Sequence, residues 1–146
     1  MAGKTTKIIE VIKEKIGRPN QSSPSPFTNW LQPVAKEAEY GSLTFEYTVR
    51  KEMINPVGIL HGGVVAGIMD DLMGATVFSM ELQGKYVTVN LDVSFFAMAK
   101  LGDIIRAKTR VIKLGRKVIN MECEIWYPEK EKLIAKGSAN LMRADL

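Results

Sequence analysis

Hydrophobic residues recur at helical spacing near the start of the chain. Within Thr5 to Ile16 the isoleucines at 8, 9, 12 and 16 fall on one side of a helix, and lysines and glutamates fill most of the positions between them. This pattern predicts a short amphipathic helix that ends at Gly17.

The segment from Arg18 to Pro33 has the composition of a loop, because prolines stand among serines and asparagines. It also contains three large apolar residues, so we expect it to dock on the rest of the protein. These residues are Phe27, Trp30 and Leu31.

From Ala35 onward the pattern changes to that of β-strands. Apolar and polar residues alternate from Val87 to Phe95, which predicts a strand with one buried face, and Ser42 to Val49 gives a weaker strand signal. Three further strands are predicted at Asp103 to Leu114, Val118 to Tyr127 and Leu133 to Arg143. Short polar loops separate these three strands, so we expect consecutive antiparallel hairpins.

One long apolar segment, His61 to Met80, lies between the strands. Its apolar residues occupy every side of a helix, and Asp70 and Asp71 are its two acidic residues. A helix that is apolar all round is a buried one. The sequence therefore predicts an α+β domain in which an antiparallel β-sheet wraps around a long central helix. We assign residues 1–33 to the N-terminal helix and docking loop, and residues 34–146 to this domain.

Asp70 is the first candidate for a working residue. Ionising a carboxylate on an apolar helix is costly unless partners offset the cost. At the start of the same helix, Gly62 and Gly63 expose N–H groups where the helix dipole is positive, which suits a carbonyl oxygen that gains negative charge. Gly62 lies about 12 Å along the helix axis from Asp70. One carbonyl group can therefore contact both residues only if two antiparallel chains each supply one of them.

Charge and cysteine content exclude several classes of function. The net charge of +4 is too small for a nucleic-acid footprint unless the charge clusters. Cys123 is the single cysteine and His61 the single histidine, which excludes an intrachain disulfide and leaves no usual zinc set. We find no signal peptide and no apolar run long enough to span a bilayer. These features predict a soluble, cytoplasmic protein without a bound metal.

The hairpin from Asp103 to Tyr127 carries a basic stripe. Matching the outward faces of its strands sets Arg110 opposite Glu122 and Lys108 opposite Glu124, which predicts a paired and solvated sheet face. Three cations at the tip of the hairpin are left unpaired and are the better candidates for phosphate binding. They are Lys113, Arg116 and Lys117.

Three motifs resemble those of the hotdog-fold acyl-CoA thioesterases, in particular the phenylacetate-degradation and small acyl-CoA subgroup. The motifs are N-P-x-G-x-L-H-G-G from Asn55 with an acid nine residues after His61, V-T-V-N-L-D-V-S-F from Val87, and A-K-L-G-D from Ala99. The resemblance covers about Ser42 to Arg143. It implies a hotdog fold, hydrolysis of acyl-CoA to free acid and CoA, a homodimer or homotetramer, and no cofactor.

The resemblance also implies roles for individual residues. The catalytic carboxylate falls on Asp70, and the N–H that polarises the thioester carbonyl falls on Gly62, with Gly63 also at the substrate. Asn55 and His61 stand on the carbonyl side, and the Thr88 hydroxyl helps to hold the attacking water. Arg116, Lys117 and nearby Lys113 match a loop that meets the nucleotide phosphates. Asp70 acts either as a general base or as a nucleophile that forms a mixed anhydride.

Several of these residues also have a purely structural interpretation. Asn55 is a common turn residue before proline, and Thr88 is a common strand residue. His61 is equally explained as a turn residue with a backbone partner, and Asp71 as a solvent-contacting or interface charge. The methionines at 53, 69, 73 and 80 either line an acyl tunnel or fill gaps in the core.

Two other functions remain open from the sequence. A non-catalytic acyl-CoA sensor or binding module would use the same fold, although the first forty residues are too few for a helix-turn-helix unit. A hotdog hydratase or dehydratase would need a histidine that works together with the acid, and His61 lacks the spacing to do so. Free-thiol release from acyl-CoAs separates an esterase from a binder.

Overall fold

The computed structural model describes residues 3–19 and 22–145, and within them the chain forms three α-helices and six β-strands. The helices are α1 Lys7–Glu14, α2 Pro26–Leu31 and α3 Gly62–Ser79. The strands are β1 Val34–Glu39, β2 Ser42–Thr48, β3 Lys85–Phe95, β4 Ile104–Leu114, β5 Val118–Tyr127 and β6 Lys132–Ala144. A single 3₁₀ turn, Lys51–Met53, follows β2.

The strands form one antiparallel sheet in the order β1-β2-β4-β5-β6-β3. Helix α3 lies across one face of this sheet and buries Ile68, Met69, Leu72 and Met73 completely. The predicted α+β architecture, with a sheet around a long helix and an extra N-terminal helix, is confirmed. In the part of the chain described, no helix combines the length and the apolar character needed to cross a membrane.

The N-terminal segment differs from its prediction. Part of the predicted loop Arg18 to Pro33 is helix α2, which begins with Ser25 capping the Thr28 N–H at 3.2 Å and with a proline in the first turn. Residues 20 and 21 of that loop lie outside the described residues. Strand β1 was also not predicted as a separate element.

Helix α2 packs against α3 with its apolar side chains. Leu31 is fully buried, and the Phe27 ring lies so close to Gly67 that a Cβ there would come within 2.9 Å of it. The Thr28 hydroxyl donates to Asp71 at 2.7 Å. Asp71 is therefore tied to the N-terminal segment, and as a half-buried residue it keeps only part of the solvent contact that the sequence predicts.

The predicted register of the β4–β5 hairpin is confirmed for the residue pairs in the middle of the two strands. Arg110 pairs with Glu122 and forms an ion pair at 2.9 Å, and Lys108 stands opposite Glu124, although its ammonium group contacts a glutamate on β1 instead. A bulge at Ile112 shifts the register by one residue before the turn. The shift arises because an extra residue on one strand changes which side chains share a face.

Strand β3 lies at the edge of the sheet and is less buried than its alternation predicts. Val87 is 39% exposed, Val89 52% and Phe95 55%. A bulge at Val89 interrupts the pairing with β6, so that Thr88 shares the helix side of the strand with Leu91. The predicted buried face is therefore confirmed for Leu91 and Val93, which pack against the core. It is wrong for the start of the strand, because the bulge exchanges the faces and turns Val87 to the outer side.

Helix α3 is not buried on all sides, which corrects a second prediction. The sheet covers one side and α2 covers part of the opposite side, but Gly63 and Asp70 are exposed and Phe78 is 60% exposed. The near-continuous apolar character of α3 therefore includes a stripe that this chain leaves uncovered.

Gly137 on β6 provides a test of the packing between sheet and helix. A Cβ there would lie 2.6 Å from the Met69 sulfur and 3.2 Å from the Asp92 carbonyl oxygen. Since Met69 is fully buried, we expect Gly137→Ala to lower the free energy of unfolding by about 1–3 kcal/mol. Urea unfolding measures the change. Ser138→Ala is the matched control, because Ser138 is exposed, and equal losses in the two variants would contradict this packing.

Candidate functional site

The turn before α3 is fixed by Asn55. Its Oδ1 accepts hydrogen bonds from the N–H groups of Val57 at 3.1 Å and Ile59 at 3.2 Å. Gly58 completes the turn at a φ of 83°, a conformation that favours glycine. The Nδ2 of Asn55 has no acceptor within residues 3–19 and 22–145, and Asn55 lines a small pocket. Asn55 is thus a turn former that keeps one free donor.

His61 caps the first turn of α3. Its Nδ1 accepts a hydrogen bond from the Gly63 N–H at 2.8 Å, and its carbonyl accepts from Val64 and Val65. Because Nδ1 is an acceptor, the neutral ring carries its proton on Nε2. The structural interpretation of His61 as a turn residue with a backbone partner matches this geometry.

The capping by His61 leaves one free donor at the start of α3. The Gly63 N–H is used inside the chain, so the prediction that both glycines expose their N–H groups is wrong for Gly63. The Gly62 N–H has no acceptor in the described part of the chain. It lies at the positive end of the helix dipole, where an oxygen with developing negative charge is stabilised.

An apolar pocket of about 190 Å³ lies beside the Gly62 N–H. Its lining includes Val65 from α3, Phe95 at the end of β3, Met98 after that strand and Ile134 from β6. The four methionines considered for an acyl tunnel are instead almost completely buried in the core. Met98, which is 67% exposed, was missed because it follows the strand in a segment without periodicity.

Asp70 and Thr88 meet on the open side of α3. The Thr88 hydroxyl donates to Asp70 Oδ1 at 2.7 Å. The contact depends on the bulge at Val89, which gives Thr88 the helix side of β3. The hydroxyl fixes one carboxylate oxygen and leaves Oδ2 without a partner in the residues described. This arrangement orients a carboxylate that can accept a proton from water.

The neighbouring carboxylate, Asp71, has a different environment. Burial raises its pKa, and the hydrogen bond from Thr28 opposes that rise. Asp71 therefore differs from Asp70 in accessibility, although the two are adjacent in the sequence.

A second, larger pocket of about 640 Å³ opens at the β4–β5 hairpin. The three phosphate candidates of the sequence, Lys113, Arg116 and Lys117, all line it. Their side chains form no ion pair within the described ranges, whereas the cations further down the hairpin do. The pocket thus combines three unneutralised cations.

Other nucleophiles and metal ligands do not converge in the described residues. No group of three or more histidine, cysteine or acidic side chains could hold a metal ion there. The Cys123 thiol is completely buried, and burial raises its pKa, so it is not available as a thiolate.

Comparison with known proteins identifies a relationship over the part of the chain that carries these features. The sequence profile of the thioesterase superfamily matches residues 57–134. Human acyl-coenzyme A thioesterase 13 is 29% identical over 97 residues, which cover 66% of this chain and 69% of that protein.

Solved structures share the fold. A phenylacetic acid degradation-related protein from Ralstonia eutropha superposes with a TM-score of 0.76 at 27% identity, over 94% of this chain and 99% of that one. Thioesterase superfamily member 2 from zebra fish gives a TM-score of 0.77 at 22% identity, over 94% and 96% of the two chains. This chain is therefore a hotdog-fold protein that belongs to the thioesterase superfamily.

Proposed function

We propose that the protein is an acyl-CoA thioesterase in which Asp70 of one chain and the Gly62 N–H of a second chain act on the same thioester. The observation that carries the proposal is the pair of prepared groups: a carboxylate oriented by Thr88 and a helix N–H without an acceptor. The name of the human relative supports acyl-CoA as the class of substrate.

The reaction follows from these groups. Asp70 takes a proton from water, and the resulting hydroxide attacks the thioester carbon. The carbonyl oxygen gains negative charge and accepts a hydrogen bond from the Gly62 N–H, while Asn55 Nδ2 is a second donor on the same side. When the carbon–sulfur bond breaks, the CoA thiolate receives the proton from Asp70. In the alternative route Asp70 itself attacks the thioester carbon, the carbon–sulfur bond breaks, and a mixed anhydride and the CoA thiolate result. Water then hydrolyses the anhydride, which restores the Asp70 carboxylate and supplies the proton that the thiolate takes.

This chemistry is supported by the chain's own residues without a cofactor. The carboxylate supplies the base and the N–H groups supply the electrophilic assistance, so no metal ion or organic group takes part in the proposed steps. The buried thiol of Cys123 fits a reducing compartment, and we propose the cytoplasm as the location.

The two prepared groups require a second chain. Gly62 and Asp70 lie eight residues apart on one straight helix, about 12 Å along its axis. The surface next to them has the features of an interface. Strand β3 has eleven residues and pairs only with β6 among the described strands, and its Val87, Val89 and Phe95 are exposed. Antiparallel pairing of two β3 edges would continue the sheet and set the open sides of two α3 helices against each other.

The dimer also assigns the two ends of the substrate to different chains. The apolar pocket adjoins Gly62 and Phe95. The cationic pocket lies near the end of the sheet at Val118, which pairs with Met142 on β6. The residue next to Met142, Leu141, pairs with Thr88. The acyl group therefore belongs in the chain that supplies Gly62. The nucleotide belongs in the chain that supplies Asp70 and the cations.

A panel of acyl-CoAs of different length tests the proposal. Thiol release by the wild-type protein should follow saturation kinetics, and sedimentation should show at least a dimer. Binding of acyl-CoA without any release of thiol would make the protein a binding module instead. A fully active monomer would refute the shared site while leaving the thioesterase activity intact.

A further inference from the structure

A row of three asparagines crosses the outer face of the sheet beside the β4–β5 hairpin. Asn120, Asn140 and Asn90 occupy paired positions on β5, β6 and β3. The Nδ2 of Asn120 donates to Asn140 Oδ1 at 2.9 Å, and the Nδ2 of Asn140 donates to Asn90 Oδ1 at 2.9 Å. Asparagine is depleted in strands, and the proposed reaction uses none of these three side chains.

One end of this asparagine row lies in the cationic pocket. Lys113 pairs with Asn120, so it continues the row on β4, and Asn120 and Asn140 line the pocket together with Arg116 and Lys117. Because the hydrogen bonds run from Asn120 towards Asn90, the Oδ1 of Asn120 receives no donor from the described part of the chain. A fixed hydrogen-bond acceptor therefore stands beside three cations.

An apolar row runs next to the asparagine row. Val118, Met142 and Val87 are paired across β5, β6 and β3, and they are 41%, 42% and 39% exposed. Exposed apolar side chains in line on an outer sheet face offer a flat surface on which a ring can lie.

Two bulges build this surface. The bulge at Ile112 gives Lys113 the same face as Asn120, and the bulge at Val89 gives Val87 the same face as Asn90. The second bulge is also the one that directs Thr88 to Asp70. Bulges often occur next to functional sites because they change the direction of side chains. Here one bulge shapes the inner and the outer face together.

We propose that Asn120 is a specificity-determining residue that recognises the adenine base of the substrate's nucleotide. The exocyclic amine of the base donates to Asn120 Oδ1, the ring lies on the apolar row, and the three cations contact the phosphates. Asn140 is a positioning residue, because it holds the Asn120 amide in one orientation. The inference rests on the proposed function and adds that the enzyme distinguishes CoA thioesters from the same acyl group on pantetheine.

Three thioesters of one acyl group test the base contact. They are the CoA thioester, its analogue with hypoxanthine in place of adenine, and the pantetheine thioester. In the wild type, loss of the amine donor should raise KM about five- to tenfold at unchanged kcat, as expected for one hydrogen bond. In Asn120→Ala the KM for the CoA thioester should rise to the same value. The variant should no longer distinguish the two bases, and its KM for the pantetheine thioester should equal that of the wild type.

Asn90→Ala is the matched control. It removes the same side chain from the far end of the row, and Asn90 is exposed and outside the pocket. Asn140 loses its acceptor on β3 in this variant but still accepts from Asn120 Nδ2, which keeps the Asn120 Oδ1 in the pocket. We therefore expect KM to change by less than about twofold. If the wild type hydrolyses both base analogues with the same KM, or if Asn120→Ala changes only the melting temperature or the oligomeric state, the row is structural and the inference is wrong.

Titration calorimetry of free CoA keeps this inference distinguishable from the proposed reaction. CoA should bind Asn120→Ala about five- to tenfold more weakly than the wild type. That result in a protein that releases no thiol would refute the reaction and support the base contact. Equal affinity for CoA in both proteins would refute the base contact whatever the turnover.

Discussion

Replacement of Asp70 by asparagine is expected to reduce thiol release from acyl-CoA at least about 10²-fold, the effect of removing a general base. The amide has almost the same shape as the carboxylate and can still accept the hydrogen bond from Thr88, so the fold and the contact at 2.7 Å should persist. The amide cannot take a proton from water. We therefore expect the loss in kcat, measured by a free-thiol assay, with little change in KM.

Asp71→Asn is the matched control for this variant. Asp71 is the adjacent residue on the same helix, and it accepts a hydrogen bond from Thr28 that an asparagine oxygen can also accept. Because burial raises the pKa of Asp71, a neutral side chain suits its position. Activity should stay within about twofold of the wild type. Similar losses in both variants would mean that charge on the helix, rather than a base at position 70, supports the activity.

The helix and most strands could be predicted because their signals are local. Period-2 alternation marked β3, and a largely apolar segment of about twenty residues without a turn signal marked α3. Helix α2 was missed because its prolines were interpreted as loop residues. Ser25 followed by Pro26 is a helix-start signal, and the three apolar residues after it fit one face.

The bulges could not be predicted, since a bulge is a property of two strands and not of one. The alternation in β3 assigns Thr88 to the polar face, and only its pairing with β6 reveals that an extra residue at Val89 moves it to the helix side. The same limit applies to Ile112 on β4. The motif resemblance still indicated Thr88, because the resemblance concerns the residue's identity and does not depend on its predicted face.

The number of free N–H groups at the start of α3 also could not be predicted from the residue types. Two glycines in a row predict two exposed N–H groups, but the His61 side chain turns back and accepts one of them. Serine, threonine, asparagine and aspartate are the usual capping residues. The resemblance assigns the donor role to Gly62, and the structure adds that the neighbouring Gly63 N–H is already used inside the chain. Gly62 is therefore the position at which a substitution can remove the donor.

Gly62→Pro is expected to remove this donor while the helix persists. Gly62 is the first residue of α3, a position that proline favours, and His61 has φ −62° and ψ 134°, which a following proline requires. A Cβ at position 62 would lie 3.4 Å from the Phe95 ring, an ordinary contact. We expect kcat to fall about 10²- to 10³-fold, as for the loss of one oxyanion donor. Gly62→Ala adds the same Cβ but keeps the N–H, so an equal loss in that variant would contradict the role of the donor.

Mixing the two inactive variants tests whether the site is shared between chains. When Asp70→Asn and Gly62→Pro chains are unfolded together and refolded in equal amounts, half of the dimers contain one chain of each kind. In such a dimer the intact Gly62 of the first chain faces the intact Asp70 of the second, and the other site lacks both groups. Each mixed dimer therefore has one active site out of two, and mixed dimers make up half of the population. About a quarter of the wild-type activity should return. A site formed within one chain would remain inactive in every dimer, because each chain lacks one of its groups. Recovery to this level therefore requires that the Gly62 N–H and the Asp70 carboxylate of different chains act on one thioester.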